Sequence, residues 1–345
     1  MVKLTIDFIS TTMFATDFQT LSHEDSTAIL PTYGSIYLTH LSIAIKVNSQ
    51  NYIVLISKTT FNQSFILVTP PQELFLLQRN NMFRRLAFWS KNNRDAKESA
   101  QKVANVGQAV LDRFRSSHSE EEIMSDESII GRIHRGPYPS DIHRIADITI
   151  CMLAGHDTTA HQISWIVVEL SRHPLIVKKL REELDIVLAP SKGPRNCTPQ
   201  QLSELHYLSR VIKEGMRLYP VAASGVERRI LADTPYKEFT IPKGSTAVIN
   251  FFAMFRTGIS DGDKFIPERW DSENPEYAKL NELFIPFSAG RRNCIGQALA
   301  LLELKLVLAT LYYSYDFEIV GEFKEVVTLT MVPENLRLKV TRRIT

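Results

Sequence analysis

Cysteine is scarce in this chain. Its three cysteines in 345 residues, Cys151, Cys197 and Cys294, are too few and too far apart for a disulfide framework, so a reducing compartment is the simpler expectation. With no framework to build, one of them can be kept for its chemistry. A charge of one sign is missing too: 40 Lys+Arg against 38 Asp+Glu leave a net charge of +2. A nucleic-acid binder would show a basic excess, so that class is set aside. No apolar run is long enough to span a bilayer. Asp7 and Asp17 interrupt the first segment, and His40, Lys46, Asn48, Gln50 and Asn51 break the apolar stretch 35–57. The chain as written is expected to be soluble and to carry no anchor. A Walker loop and a dinucleotide glycine pattern are also absent. His156 and His161 stand five apart, not at the i, i+4 spacing of a zinc helix, and Cys151 and Cys197 lack metal-ligand spacing and receive no role. What is present is ordinary globular material, 44% hydrophobic and 23% charged, long enough to bury a large core.

Two parts of unequal clarity follow. Residues 1–139 read as a partly helical front segment of the same domain. Within it, 5–21 has helical apolar spacing, and 34–71 is rich in Ile, Val, Thr and Tyr without a clear period, so helix and strand compete there. Residues 94–115 read as an exposed amphipathic helix, and 116–128, with its run of Ser and Glu, as a solvated linker. Residues 140–345 speak more plainly. A helix starts at Pro139-Ser140-Asp141 and runs about thirty residues to Leu170, unusually long for a globular protein. A second covers 174–187, dense in charge, with a polar face expected to be simply solvated. Thr198-Pro199-Gln200-Gln201 is a capping box with proline at the first helical position. Further helices are expected at 209–218 and 297–313, strand–turn–strand at 236–249 around Ile241-Pro242-Lys243-Gly244, and short strands at 326–340. The fold class is mainly α with minor β, without internal repeats.

Chemistry concentrates in four places. The first is the stretch Phe287-Ser288-Ala289-Gly290-Arg291-Arg292-Asn293-Cys294-Ile295-Gly296. Its one cysteine stands just before a helix and beside two arginines, a setting that favours a thiolate. Gly290 and Gly296 let the backbone come close to a flat ligand. The second is Ala154-Gly155-His156-Asp157-Thr158-Thr159 in mid-helix. Ala154 and Gly155 leave one face bare for a ring or a diatomic gas. Asp157 and Thr158 set an acid beside an alcohol, the parts of a proton relay, and the two threonines can bond back to helix carbonyls. On residues alone this could equally be a helix that packs through small side chains. The third is Glu214-Gly215-Met216-Arg217, at a spacing that is ordinarily a surface ion pair. The fourth is the segment 221–229, which holds Arg228 and Arg229.

The cysteine stretch resembles the haem-binding loop of the cytochrome P-450 family, Phe-x-x-Gly-x-Arg-x-Cys-x-Gly, with every fixed position filled. The resemblance implies a cytochrome P-450 fold, incomplete at its amino terminus, with residues 140–345 as the haem-binding catalytic core. It implies haem b (iron protoporphyrin IX), with Cys294 as the axial ligand of the iron and Phe287, Gly290 and Gly296 shaping the loop. Arg292 would face a haem propionate, and Arg228, with Arg229 close behind, would meet another. Ala154, Gly155, Asp157 and Thr158 look like the family's oxygen-activation segment, in which Thr158 steadies the activated dioxygen and Asp157 feeds it protons. Glu214 and Arg217, with Arg269 of Phe265-Ile266-Pro267-Glu268-Arg269-Trp270, imply a buried structural triad.

The implied activity is haem-thiolate monooxygenation of a small apolar substrate by dioxygen. Electrons would come from NADPH through a separate cytochrome reductase or a ferredoxin-type donor. Arg291, Arg292 and Lys305 form a basic cluster suited to an acidic partner. The resemblance also implies an endoplasmic-reticulum relative. It covers 140 to the end well and 5–18 weakly. The family's anchor, first strands and haem-contacting Trp/Arg helix have no counterpart, since Trp89 and Arg94 are not spaced for it. Two other readings stand beside it: a haem-thiolate isomerase or dehydratase, and a truncated haem-protein fragment without turnover.

Overall fold

The structure is a computed structural model that describes residues 41–48, 51–58 and 91–343, except positions 224, 237, 328 and 329; for 41–48, 51–58, 91–97, 226 and 227 it defines backbone alone. The helix expected at 5–21 and Trp89 lie outside the described residues.

The first described elements are an antiparallel strand pair, β1 (Leu41–Asn48) and β2 (Asn51–Lys58). Of the segment 34–71, which left helix and strand open, 41–48 and 51–58 are strand, as their β-branched content favours, and the rest lies outside the described residues. α1 (Lys91–Ser117) follows, then α2 (Glu120–Ser125), α3 (Ile129–Arg135) and the long α4 (Asp141–Arg172). α5 (Pro174–Leu188), α6 (Pro199–Glu204) and α7 (His206–Leu218) come next. Four short strands then appear: β3 (Val226–Arg229), β4 (Thr234–Tyr236), β5 (Phe239–Ile241) and β6 (Thr246–Ile249). After α8 (Phe251–Met254), α9 (Tyr277–Leu283) and α10 (Gln297–Ser314), the chain ends in β7 (Tyr315–Ile319), β8 (Lys324–Val327), β9 (Met331–Glu334) and β10 (Arg337–Arg342).

α4 is the axis of the fold. Every residue from Thr159 to Leu170 is buried, so this half of the helix is surrounded, while its first half shows one face to the outside. α1, α5, α7 and α10 pack around it. Trp165 lies fully buried and stacks on Tyr219 with ring centroids 4.2 Å apart, and its indole donates to the Met331 carbonyl at 2.9 Å. The largest sheet has the order β1-β2-β10-β7, all antiparallel, with Leu338 opposite Val54 on one side and Ile319 on the other. Among the described residues the remaining strands form three pairs, β3 with β6, β4 with β5 and β8 with β9. At the entry to β3, Gly225 has φ +71°, and a side chain there would overlap the Ile249 carbonyl, so only glycine fits. Among the described residues no helix is long and apolar enough to cross a membrane.

Local signals mark many boundaries. Thr198 accepts from the Gln201 backbone and Gln201 returns the bond, the expected capping box, with Pro199 at the first position of α6. Three expectations are corrected. The supposed linker at 116–128 is folded: Ser119 and Glu122 make a capping box for α2, Ser128 caps α3, and Ile123 is buried. α1 is not merely exposed, because Val103, Val106, Val110, Leu111 and Phe114 lie in the core. The polar face of α5 is paired, not just solvated. Glu183 accepts from the Tyr207 and Leu208 backbone N–H groups at 2.6 and 2.9 Å, and Asp185 holds Arg343. The 236–249 region does turn at 242–245, but β5 and β6 pair with β4 and β3, not with each other.

Candidate functional site

One cavity of about 370 Å³ gathers most of the predicted site. Two helix faces form its opposing walls. From α4 come Cys151, Ala154, Gly155, Thr158, Thr159 and Gln162, a helical repeat on one stripe. From α10 come Leu299, Ala300, Glu303 and Leu304, continuing the face that Gly296 begins. The loop Phe287–Cys294 closes the gap between them, with Phe287, Ser288, Arg292 and Cys294 on the cavity wall.

The loop is held by its own backbone. Ser288 (φ +63°) and Gly290 (φ +80°) take left-handed conformations on either side of Ala289. A one-turn 3₁₀ segment, Gly290–Arg292, follows, and Asn293 N–H donates to the Gly290 carbonyl at 3.1 Å. The Cys294 amide donates back to the Phe287 carbonyl at 2.9 Å, which closes the loop on itself. The Cys294 thiol stays exposed, three residues before the first residue of α10. A Cβ on Gly296 would meet only that sulfur, at 3.8 Å, so nothing but cavity lies over this part of the backbone.

On the facing wall, the Thr158 hydroxyl donates to the Ala154 carbonyl at 2.9 Å and Thr159 donates to Gly155 at 3.0 Å. Asp157 is not among the cavity-lining residues. Its carboxylate turns to Thr330, whose hydroxyl donates to it at 3.0 Å. The acid and the alcohol are neighbours in sequence but point to different sides of α4. The arginines divide in the same way. Arg292 is on the cavity wall, and Arg228 reaches from β3 to the Ser288 hydroxyl at 3.5 Å. Arg229 makes no such reach. Lys305 does not belong to a free basic cluster, because its ammonium donates to the Leu202 carbonyl at 3.0 Å and partial burial lowers its pKa.

Glu214, Arg217 and Arg269 form one buried cluster beneath the loop's side of the core. Arg217 grips Glu214 with two bonds, at 2.8 and 2.9 Å, and spends its remaining N–H groups on the Phe255, Gly262 and Lys264 carbonyls. Arg269 donates to Glu214 at 3.2 Å and to the Ser260 and Asp261 carbonyls. The Trp270 indole and the Ile266 amide complete the Glu214 shell, both at 2.9 Å. Every charge is thereby paired and hydrogen-bonded, which is what allows it to be buried.

Sequence reasoning missed three wall residues. Glu303 is 1% exposed, its Oε1 has no partner, and burial pushes its carboxyl up to about 8. Gln162 is also buried, with its amide nitrogen unpartnered. Cys151, set aside earlier, lines the cavity, and burial raises its thiol pKa. Helical spacing from Thr158 and from Gly296 carries the signal for all three.

The donor set suits a flat metal macrocycle. A single exposed sulfur offers one ligand, and among the described residues no cluster of three His, Cys, Asp or Glu could hold a bare metal. An iron held at Cys294 must therefore bring its other ligands with it, as a porphyrin does. The apolar slot between α4 and α10 and the Arg292 cation at its edge fit such a ring and its carboxylates.

Comparison with known proteins agrees with this chemistry. The family model for Cytochrome P450 matches residues 1–340, so the match extends well before the motif-bearing part. The putative cytochrome P450 CYP13A4 of Caenorhabditis elegans is 30% identical over 275 residues, 73% of this chain and 51% of that protein. Cytochrome P450 3A28 of Bos taurus is 33% identical over 182 residues, 52% of this chain and 35% of that protein. The chain thus spans about half or less of the length of these relatives. A crystal structure of a cytochrome P450, CYP102L1, superposes with a TM-score of 0.74 over 99% of this chain and 71% of that one, at 22% identity, and so bears on the fold. With a mainly helical fold, small paired sheets and a cysteine loop facing a bare helix stripe, the chain belongs to the cytochrome P450 family.

Proposed function

We propose that this protein is a haem-thiolate monooxygenase that inserts one oxygen atom of dioxygen into a small apolar substrate. The observation that carries the reading is the cavity itself, whose lining brings Cys294 together with Thr158, Ala154 and Gly155. Haem, when bound, supplies the redox-active iron at which dioxygen is activated. Cys294 would hold the iron, and Arg292, with Arg228 behind Ser288, would neutralise the propionates. The small side chains of Ala154 and Gly155 leave room for a diatomic molecule. Thr158 can hold a proton at its hydroxyl, with Asp157 one residue away as the acid. Phe287, Val221 and Leu299 give apolar walls that exclude water and favour an apolar substrate. Electrons would arrive from NADPH through a separate reductase, and exposed Arg291 offers an acidic partner a charge at the loop.

A reduced, carbon-monoxide difference spectrum of the purified chain supplied with haem tests the reading. A far red-shifted Soret band is expected, and Cys294→Ser should abolish it. An unshifted band in the parent chain, or a shifted one that survives Cys294→Ser, would defeat the assignment. The position of Asp157, away from the cavity, favours one competitor: a rearrangement of lipid hydroperoxides without a reductase. Turnover of such a peroxide in the absence of NADPH would establish it instead.

A further inference from the structure

Asp157 is built into a network of its own. Its Oδ2 accepts from the Thr330 hydroxyl at 3.0 Å, the Thr330 oxygen lies 2.9 Å from His161 Nδ1, and that nitrogen is 3.6 Å from the same Asp157 oxygen. His161 and Thr330 are both buried. One turn further along α4, Trp165 donates to the carbonyl of Met331, and the Met331 amide donates to the Val221 carbonyl on the cavity wall. Asp157, His161 and Trp165 thus occupy one stripe of α4, and all three engage Thr330 and Met331, the residue before β9 and its first residue. The Thr158 stripe faces the cavity, a different side of the helix.

The hydrogens follow from this geometry. A carboxylate only accepts, so the single Thr330 hydroxyl proton goes to Asp157. The Thr330 oxygen then has only lone pairs left for His161, and Nδ1 must carry a hydrogen. That leaves Nε2 as the bare nitrogen, or protonated in an imidazolium, and it is buried without a partner. A neutral histidine in this place has one allowed tautomer.

We propose that Thr330 and His161 are positioning residues for Asp157, holding its carboxylate against β9 and away from Thr158, with His161 fixed as the Nδ1–H form. The catalytic consequence rests on the monooxygenase reading: Asp157 serves Thr158 only by leaving Thr330, so the strength of this hold sets how often protons reach the cavity. Removing it should alter the fate of reduced oxygen, while the thiolate spectrum, which depends on the opposite wall, stays the same.

The test uses the haem-loaded full chain, Thr330→Val and Thr330→Ser. In ¹⁵N-histidine spectra of the diamagnetic ferrous carbon-monoxide form, identified by loss of the signal in His161→Asn, His161 should show a protonated Nδ1 in the parent. Thr330→Val should weaken that preference, leaving only the 3.6 Å approach of Asp157 to hold the hydrogen, and Thr330→Ser should restore it. With NADPH and a reductase, peroxide released per NADPH oxidised should change about threefold or more in Thr330→Val and return to the parent value in Thr330→Ser. A parent His161 with bare Nδ1 overturns the network. Unchanged peroxide yield in Thr330→Val, with intact spectrum and melting temperature, overturns the positioning role. Loss of the thiolate spectrum in the parent condemns the monooxygenase reading alone, and the tautomer, readable in the haem-free chain, then decides the network.

Discussion

Glu303, in the cavity wall, ties stability to pH. Its carboxyl is pushed from 4.5 up to about 8 by burial, so between those values the folded chain holds a proton that the unfolded chain has released. Stability is therefore full below pH 4.5 and declines as pH rises toward 8. Glu303→Gln keeps the shape and removes the proton. It should leave stability unchanged at acid pH and raise it by up to about 3 kcal/mol at neutral pH, as read from urea melts at both. Equal effects at both pH values would show that the carboxyl is not held neutral. Such a group is hard to find by reading, since Leu301-Leu302-Glu303-Leu304 gives no sign of which side faces a cavity. Only helical spacing from Gly296, combined with knowledge that α4 lies opposite, singles it out.

The start of α7 shows how elements depend on one another. Its N-cap, Leu205, offers no side-chain acceptor, and Glu183 of α5 supplies one from outside by taking the Tyr207 and Leu208 N–H groups. Glu183→Ala should cost about 1–3 kcal/mol in thermal or denaturant unfolding, and Glu183→Gln less, because one acceptor remains. The same element explains what could be read and what could not. Helix ends marked by adjacent residues, such as Thr198-Pro199 or Pro174, were legible because the signal and its effect share one turn. The partners of α5 stand 24 and 158 residues away, at Tyr207 and Arg343, and no local pattern announces them. In α2 the capping box was written plainly as Ser119-Glu120-Glu121-Glu122, but the acid run reads as solvent-facing unless Ile123 is known to have a core to enter. The cysteine loop and the α4 motif were legible as contiguous strings. The direction of Asp157 was not, because it depends on Thr330, 173 residues further along the chain.

The triad of Glu214, Arg217 and Arg269 binds α7 to the backbone of 255–264 and to the Pro267–Trp270 turn, and through them much of the later chain. Glu214→Ala would leave two guanidinium groups buried without their carboxylate. It should cost about 3–5 kcal/mol, enough to lose the cooperative melt, with Glu214→Gln intermediate. A cooperative melt for Glu214→Ala close to that of the parent would show that the carbonyls, with Glu276 beside Arg269, satisfy the arginines. The largest sheet has a different dependence. Its order, β1-β2-β10-β7, puts the final strand between two that precede it. During synthesis β2 leaves the ribosome long before Arg337–Arg342 exists, and β7 also emerges with no neighbour on that side. Until Arg337–Arg342 is translated, both strands present open edges, the kind that recruit other chains. Closure of the sheet therefore waits for Arg337–Arg342, and a message cut short before codon 337 would yield a product with two sticky edges and no means of joining them.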